Sequence, residues 1–137
     1  MTFFAAYLAV LAVFGTVDII WLSVMAGVLY RPTLGPVLLD EIRWAPALLF
    51  YLGYPLGLVH FAVLPAFASG SAGTALVNGA LLGLMTYATY DLTNYATLRA
   101  WTLQITLADI GYGAVVAGSA SWAACIALRR LSDGGWL

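Results

Sequence analysis

Three acids stand where a membrane protein can least tolerate them. Asp18, Asp91 and Asp109 each interrupt a long apolar run, and together they are half of the six acidic residues in the chain. Ionisable groups in hydrocarbon are costly and face a bundle interior or a water-filled cavity. They have company. Thr86 to Trp101 reads TYATYDLTNYATLRAW, which places Tyr87, Tyr90, Asp91, Asn94 and Tyr95 within two to three helical turns. Tyr51 and Tyr54 lie three apart in another apolar run, and Trp21 and Tyr112 each follow an acid by three residues. Carboxylates beside phenols and indoles can accept hydrogen bonds and hold a proton, or take a hard cation through oxygen ligands. They can also do nothing but pack, each acid held by a Tyr, Thr or Trp of a neighbouring helix. The pattern alone leaves these alternatives open. It contains no Cys/His zinc pattern, and no base stands beside Ser23, Ser119 or Ser121 for a Ser-His-Asp arrangement, so no metal site and no nucleophilic catalysis is expected.

The elements that must position these groups follow from composition. The 137 residues are 64% hydrophobic and 8% charged, with no lysine and five arginines, which is the composition of a membrane protein and excludes a nucleic-acid binder. One unit is expected, spanning 1–137. Apolar runs predict spans at about 3–29, 44–66, 75–97 and 102–128. The expected fold is therefore an all-α integral membrane protein, a four-helix transmembrane bundle. Arg31-Pro32 and Gly35-Pro36 are expected to stop the first helix, and 37–42 to form a short interfacial segment between helices 1 and 2. The first span is read as retained rather than as a cleaved signal, because it lacks a positive flank and is too long. Pro55 is internal to the second span and Pro65 is expected to close it. The Gly/Ser run at 67–74 makes spans two and three antiparallel neighbours. Gly53 and Gly57, Gly79 and Gly83, and a Thr102–Ser121 stripe of small and polar residues predict close helix approach. Lone His60 is expected to be a packing residue, and Cys125 an inert core thiol.

Helical rise puts Asp18 about 15 Å, Tyr51 and Tyr54 about 10–15 Å, and Asp91 and Asp109 about 10 Å below the loop between the first two spans. All four spans thus carry their polar groups in one half of the bilayer. The expected site is a cup lined by Asp18, Trp21, Tyr51, Tyr54, Tyr87, Tyr90, Asp91, Asn94, Arg99, Asp109 and Tyr112, with Arg99 able to pair with Asp91 or Asp109. There is also an internal echo, Asp18-Ile19-Ile20-Trp21 against Asp109-Ile110-Gly111-Tyr112.

Asp18-x-x-Trp21-Leu22, Trp44-x-Pro46-Ala47-x-x-Phe50-Tyr51, Tyr87-x-x-Tyr90-Asp91-Leu92-Thr93-Asn94 with Ala96-Thr97-Leu98 and Trp101, and Asp109-Ile110-x-x-Gly113 together resemble small bacterial four-span membrane proteins, the domain of unknown function 2177 family. The resemblance covers nearly the whole chain and implies the four-span arrangement but no activity. The occurrence of such proteins beside lipid-modifying genes inclines the ligand toward a lipid-like one. Trp44-x-Pro46-x-x-x-Phe50 is also similar to a short stretch of the tryptophan-rich translocator proteins that bind porphyrins and sterols, which have one span more.

The sequence reading is thus a small protein of a bacterial inner membrane, with its termini cytoplasmic on the weight of Arg129 and Arg130. It binds or translocates a small amphiphilic or lipid-like molecule and is not expected to be an enzyme. Its partners are membrane lipid and an apolar or amphiphilic small molecule, with a second copy or a membrane-complex subunit beside it. No cofactor is specified. A non-catalytic packing subunit and a metal-dependent lipid enzyme are the alternatives.

Overall fold

The computed structural model describes residues 1–136. Among them every regular element is helical, arranged as four continuous rods. The first runs through Thr2–Met25, a π-helical turn Ala26–Tyr30, Arg31–Leu34 and a 3-10 turn Gly35–Val37. The second runs through Trp44–Leu58, a π-helical turn Val59–Val63 and Leu64–Ala68. The third is Ala72–Thr97 and the fourth Leu103–Asp133. Length and apolarity alone pick out three of the four expected spans: Thr2–Val37, Trp44–Ala68 and Leu103–Asp133. The third helix has 26 residues, and at about 1.5 Å each it is long enough, but Asn78, Thr86, Tyr87, Tyr90, Asp91 and Asn94 lower its hydropathy.

Gly35-Pro36 closes the first helix as expected, but Pro32 and Pro65 do not end theirs. Pro32 and Pro65 each follow a π turn by one residue, and the backbone N–H of Arg31 and of Leu64 reaches five residues back, to the Ala26 and Val59 carbonyls. This wider register carries the chain past a residue that cannot donate, so the first helix reaches Val37 and the second Ala68. The Phe61 carbonyl lies four residues before Pro65 and would have lost its partner. The Asn78 side-chain amide of the third helix donates to it at 3.5 Å.

The turns are built from local chemistry. Gly70 takes φ +69°, and the Ser71 N–H returns to the Ala66 carbonyl at 3.1 Å, a left-handed helix end that only glycine adopts freely. Ser71 then caps the third helix by accepting from the Thr74 N–H, and Thr102 caps the fourth by accepting from the Ile105 N–H, each at 3.3 Å. Arg129 donates to the Gly70 carbonyl, which ties the fourth helix to the turn between the second and third.

Third and fourth helices pack along most of their length. Lipid tails are as apolar as leucine, so helices associate through close packing and polar contacts rather than through burial from water. Gly83 shows the fit: a methyl there would stand 2.7 Å from the Ala117 Cβ. Gly79 and Gly113 are as confined, against Ser121 and Tyr87, and Gly118 is less tightly held against Ala80. Of the Thr102–Ser121 stripe, Gly113, Ala117 and Ser121 lie in this seam, while Asp109 and Tyr112 turn to the first helix and Thr102 is half-buried. Gly53 and Gly57 have no neighbour inside the chain and bring no helices together.

The first helix packs on the fourth, and the second on the first. The second meets the third through its Val59–Val63 and Leu64–Ala68 segments, while Trp44–Leu58 packs less closely on it. The apolar core fills the half that carries the termini, with Val10, Phe14, Val63, Val116, Ala124 and Leu128 fully buried, and Cys125 among them. A smaller cluster of Leu29, Leu34, Trp101 and Ile105 closes the first helix against the fourth at the loop side. His60 does not pack inside. It is exposed on the outer face, edge-on to Phe61.

Candidate functional site

Asp18 lies on the buried face of the first helix, one turn beyond Phe14. Its carboxylate accepts from the Tyr51 hydroxyl of the second helix and, at 2.9 Å, from the Tyr112 hydroxyl of the fourth. Asp109 of the fourth helix accepts from the Tyr30 hydroxyl, and Tyr30 accepts in turn from the Trp21 indole N–H at 2.9 Å. Between the two acids the Trp21 and Tyr112 rings stack, with centroids 4.0 Å apart and planes 10° apart. The echo in the sequence therefore has a spatial meaning. Two antiparallel helices each present an Asp followed three residues later by an aromatic ring. The rings meet, and each acid is held by a phenol from outside its own helix.

Tyr30 was not among the expected site residues, and the π turn is the reason it belongs. Nine residues separate Trp21 from Tyr30, two and a half turns of regular α-helix, which would put Tyr30 on the opposite face. The π turn Ala26–Tyr30 underwinds the chain and returns the phenol to the indole. Such turns recur at functional sites for this reason.

Asp91 is different. It is fully buried on the third helix, and neither carboxylate oxygen has a hydrogen-bond partner. The threonines around it offer none, because Thr86, Thr89, Thr93 and Thr97 each donate to a backbone carbonyl four residues back on the same helix. The expected pairing with Arg99 does not form. Arg99 is exposed in the turn between the third and fourth helices and lines a separate cavity of about 340 Å³ with Leu34, Val37, Leu98 and Ala100.

All three acids border one cavity of about 930 Å³ in the loop-side half of the bundle. Of the expected residues, Asp18, Trp21, Tyr51, Tyr87, Tyr90, Asp91 and Asp109 line it. Tyr54, Asn94, Arg99 and Tyr112 do not. Tyr54 is stacked on Phe50 at 5.3 Å and lies against Phe14, its buried hydroxyl without a hydrogen-bond partner. Tyr112 sits behind the Trp21 ring. Tyr87 reaches the wall by lying across Gly113, where a side chain would collide with its ring. Tyr90 is 61% exposed at the mouth, edge-on to Trp101 at 5.5 Å.

The rest of the wall includes residues not among those expected, Leu22, Ala26, Tyr30, Arg31, Phe50 and Thr86, with Leu38, Leu39, Ile42 and Arg43 as a partial roof. The roof had a signal in the sequence, since Val37-Leu38-Leu39 and Ile42 are apolar residues in a loop. Arg31 and Arg43 are both exposed and both reach the cavity wall.

The arrangement is suited to binding. Two acids are committed to phenols, one is uncommitted, and aromatic and aliphatic surfaces surround them. Among the described residues no group of three or more His, Cys, Asp or Glu side chains gathers closely enough to hold a metal ion.

Residues 3–126 match the family described as "Predicted membrane protein (DUF2177)". No curated protein and no solved structure matches the chain.

Proposed function

The chain belongs to this DUF2177 family of predicted membrane proteins, and on that footing we propose that it binds a small amphiphilic, lipid-like molecule. One observation carries the reading: Asp91, fully buried at the border of a roomy and largely apolar cavity, has two oxygens without a hydrogen-bond partner. Buried polar groups in folded proteins are almost always hydrogen-bonded, and an uncompensated one is expensive. A ligand whose polar end donates to Asp91 and whose apolar body lies along Leu22, Leu38 and Phe50 satisfies both halves of the wall. The volume is within the range of small-molecule pockets, about 300–1,000 Å³. We place the protein in a bacterial inner membrane with its termini cytoplasmic, on the weight of the adjacent Arg129 and Arg130 rather than of the arginine count, which is two on that side against Arg31, Arg43 and Arg99 on the other.

The test is purification in mild detergent followed by native mass spectrometry and extraction of bound small molecules. Wild-type protein is expected to retain an amphiphile that Asp91→Asn loses at least tenfold more readily, with unchanged helicity and elution volume. Wild-type protein that carries no displaceable amphiphile under any mild condition sinks the reading.

A further inference from the structure

We propose that the amphiphile is a zwitterion. Its primary amine donates to Asp91, its phosphate is held by Arg31 and Arg43, and its acyl chains leave between the second and third helices. This rests on the amphiphile-binding reading above and names the class of molecule the cavity takes.

The charges in the wall make the first part of the case. Five ionisable acids and bases border the cavity: Asp18, Asp91, Asp109, Arg31 and Arg43. Asp18 and Asp109 already accept from phenols. Asp91 alone borders the cavity with neither oxygen hydrogen-bonded. A carboxylate accepts from several donors at once, and a primary ammonium is a compact charge with three N–H donors. A quaternary ammonium has no N–H and leaves those oxygens unsatisfied. The pocket wall therefore selects an amine that can donate.

The arginines border the same cavity. Arg43 immediately precedes the second helix and Trp44. Arg31 lies six residues inside the loop-side end of the first rod, as Asp91 lies six inside that of the third helix, about 9 Å along the axis. The wall thus carries two guanidiniums and an unpaired acid. A guanidinium presents a fork of donors that matches phosphate oxygens. A phosphate joined to an amine by a short linker answers both charges of the wall.

The third part is the exit for the chains. The Trp44–Leu58 segment of the second helix packs less closely on the third helix than Val59–Val63 and Leu64–Ala68 do. Phe50 on one side of this looser seam and Tyr90 on the other are exposed at 40% and 61%. The opposite flank, between first and fourth helices, is sealed by Leu29, Leu34, Trp101 and Ile105. The opening faces the membrane core, so the ligand is a lipid rather than a soluble phosphoamine.

The experiment is a ligand panel on the full chain in nanodiscs. Binding is read by native mass spectrometry and by quenching of Trp21 and Trp101 with spin-labelled lipid. Diacyl phosphatidylethanolamine is expected to bind at least about tenfold more tightly than phosphatidylcholine, phosphatidylglycerol, dodecylamine or soluble glycerophosphoethanolamine. Asp91→Asn should erase the preference for phosphatidylethanolamine over phosphatidylcholine. Arg31→Gln with Arg43→Gln, at exposed positions, should weaken the phospholipids and leave dodecylamine unchanged. Equal binding of the choline lipid or of dodecylamine by wild-type protein overturns the zwitterion assignment while the pocket reading stands. Equal binding of glycerophosphoethanolamine overturns the lipid assignment. Failure of every member of the panel to bind removes the pocket reading itself.

Discussion

The phenols around Asp18 make a quantitative prediction about stability. Asp18 is 5% exposed and accepts from two hydroxyls on two different helices, Tyr51 and Tyr112. Tyr→Phe removes one donor and almost no volume, so packing against Phe14 and Trp21 is kept. A hydrogen bond to a charged group contributes about 1.5–3 kcal/mol in soluble proteins, whereas interhelical bonds in a membrane protein average about 0.6 and reach about 1.7. Each single change is therefore expected to cost about 0.6–1.7 kcal/mol. The double change should cost more than the sum, by at least about 0.5 kcal/mol, because the second removal leaves the acid with no donor at all. In an Asp18→Leu background both Tyr→Phe changes should become nearly neutral. The assay is reversible unfolding by SDS titration into mild-detergent micelles, followed by far-UV circular dichroism. Strict additivity of the two changes, or an unaltered cost of Tyr112→Phe without Asp18, refutes the claim that the phenols act through the acid.

Two further changes probe the scaffold. Gly83→Leu should separate the third helix from the fourth, since even a methyl there stands 2.7 Å from the Ala117 Cβ; a lowered unfolding midpoint and a faster-cleaved 97–103 turn in limited proteolysis are expected, while Leu at the unconfined Gly57 should change little. Gly70→Ala should cost about 1 kcal/mol in the same SDS titration, from a side chain forced to φ +69°, whereas Gly73→Ala, inside a helix, should be neutral or stabilising.

Much of the bundle was legible because its signals are local. Gly and Ser at 67–74 specify a turn, and the structure completes it with Gly70 and the Ser71 cap. The small residues of the third and fourth helices specify a close seam, and the seam is there. The three acids, far apart in the sequence, border one cavity. Register was not legible. A proline in sequence reads as a stop, yet a π turn before Pro32 and another before Pro65 let both helices continue. That same slip brings Tyr30 round to Asp109, so the phenol could be found only by knowing the turn was wide. Tyr54 and Tyr112 failed as wall residues for a simpler reason. Spacing gives the face of a helix, and an aromatic neighbour decides whether the side chain reaches the cavity or lies behind another ring.

The unequal treatment of the three acids is the firmest reason to regard the cavity as a place for a ligand. Acids used only to fix helix packing should be satisfied from within, and Asp18 and Asp109 are, each by a phenol on a neighbouring or distant segment. Asp91 has the same access to hydroxyls in sequence, with Thr86, Thr89 and Thr93 within five residues, yet every one of those hydroxyls is spent on its own backbone. An acid kept for packing alone would be better replaced by an apolar residue, because a buried carboxylate without a donor costs more than it contributes. The fold therefore holds Asp91 at a cost to stability, in a wall that also carries two arginines and seven aromatic rings. Costs of this kind are tolerated where a bound partner supplies the missing contact. The stability of the protein and its occupancy by ligand should consequently rise together, and Asp91→Leu should break that link, giving a chain whose unfolding midpoint no longer responds to added lipid.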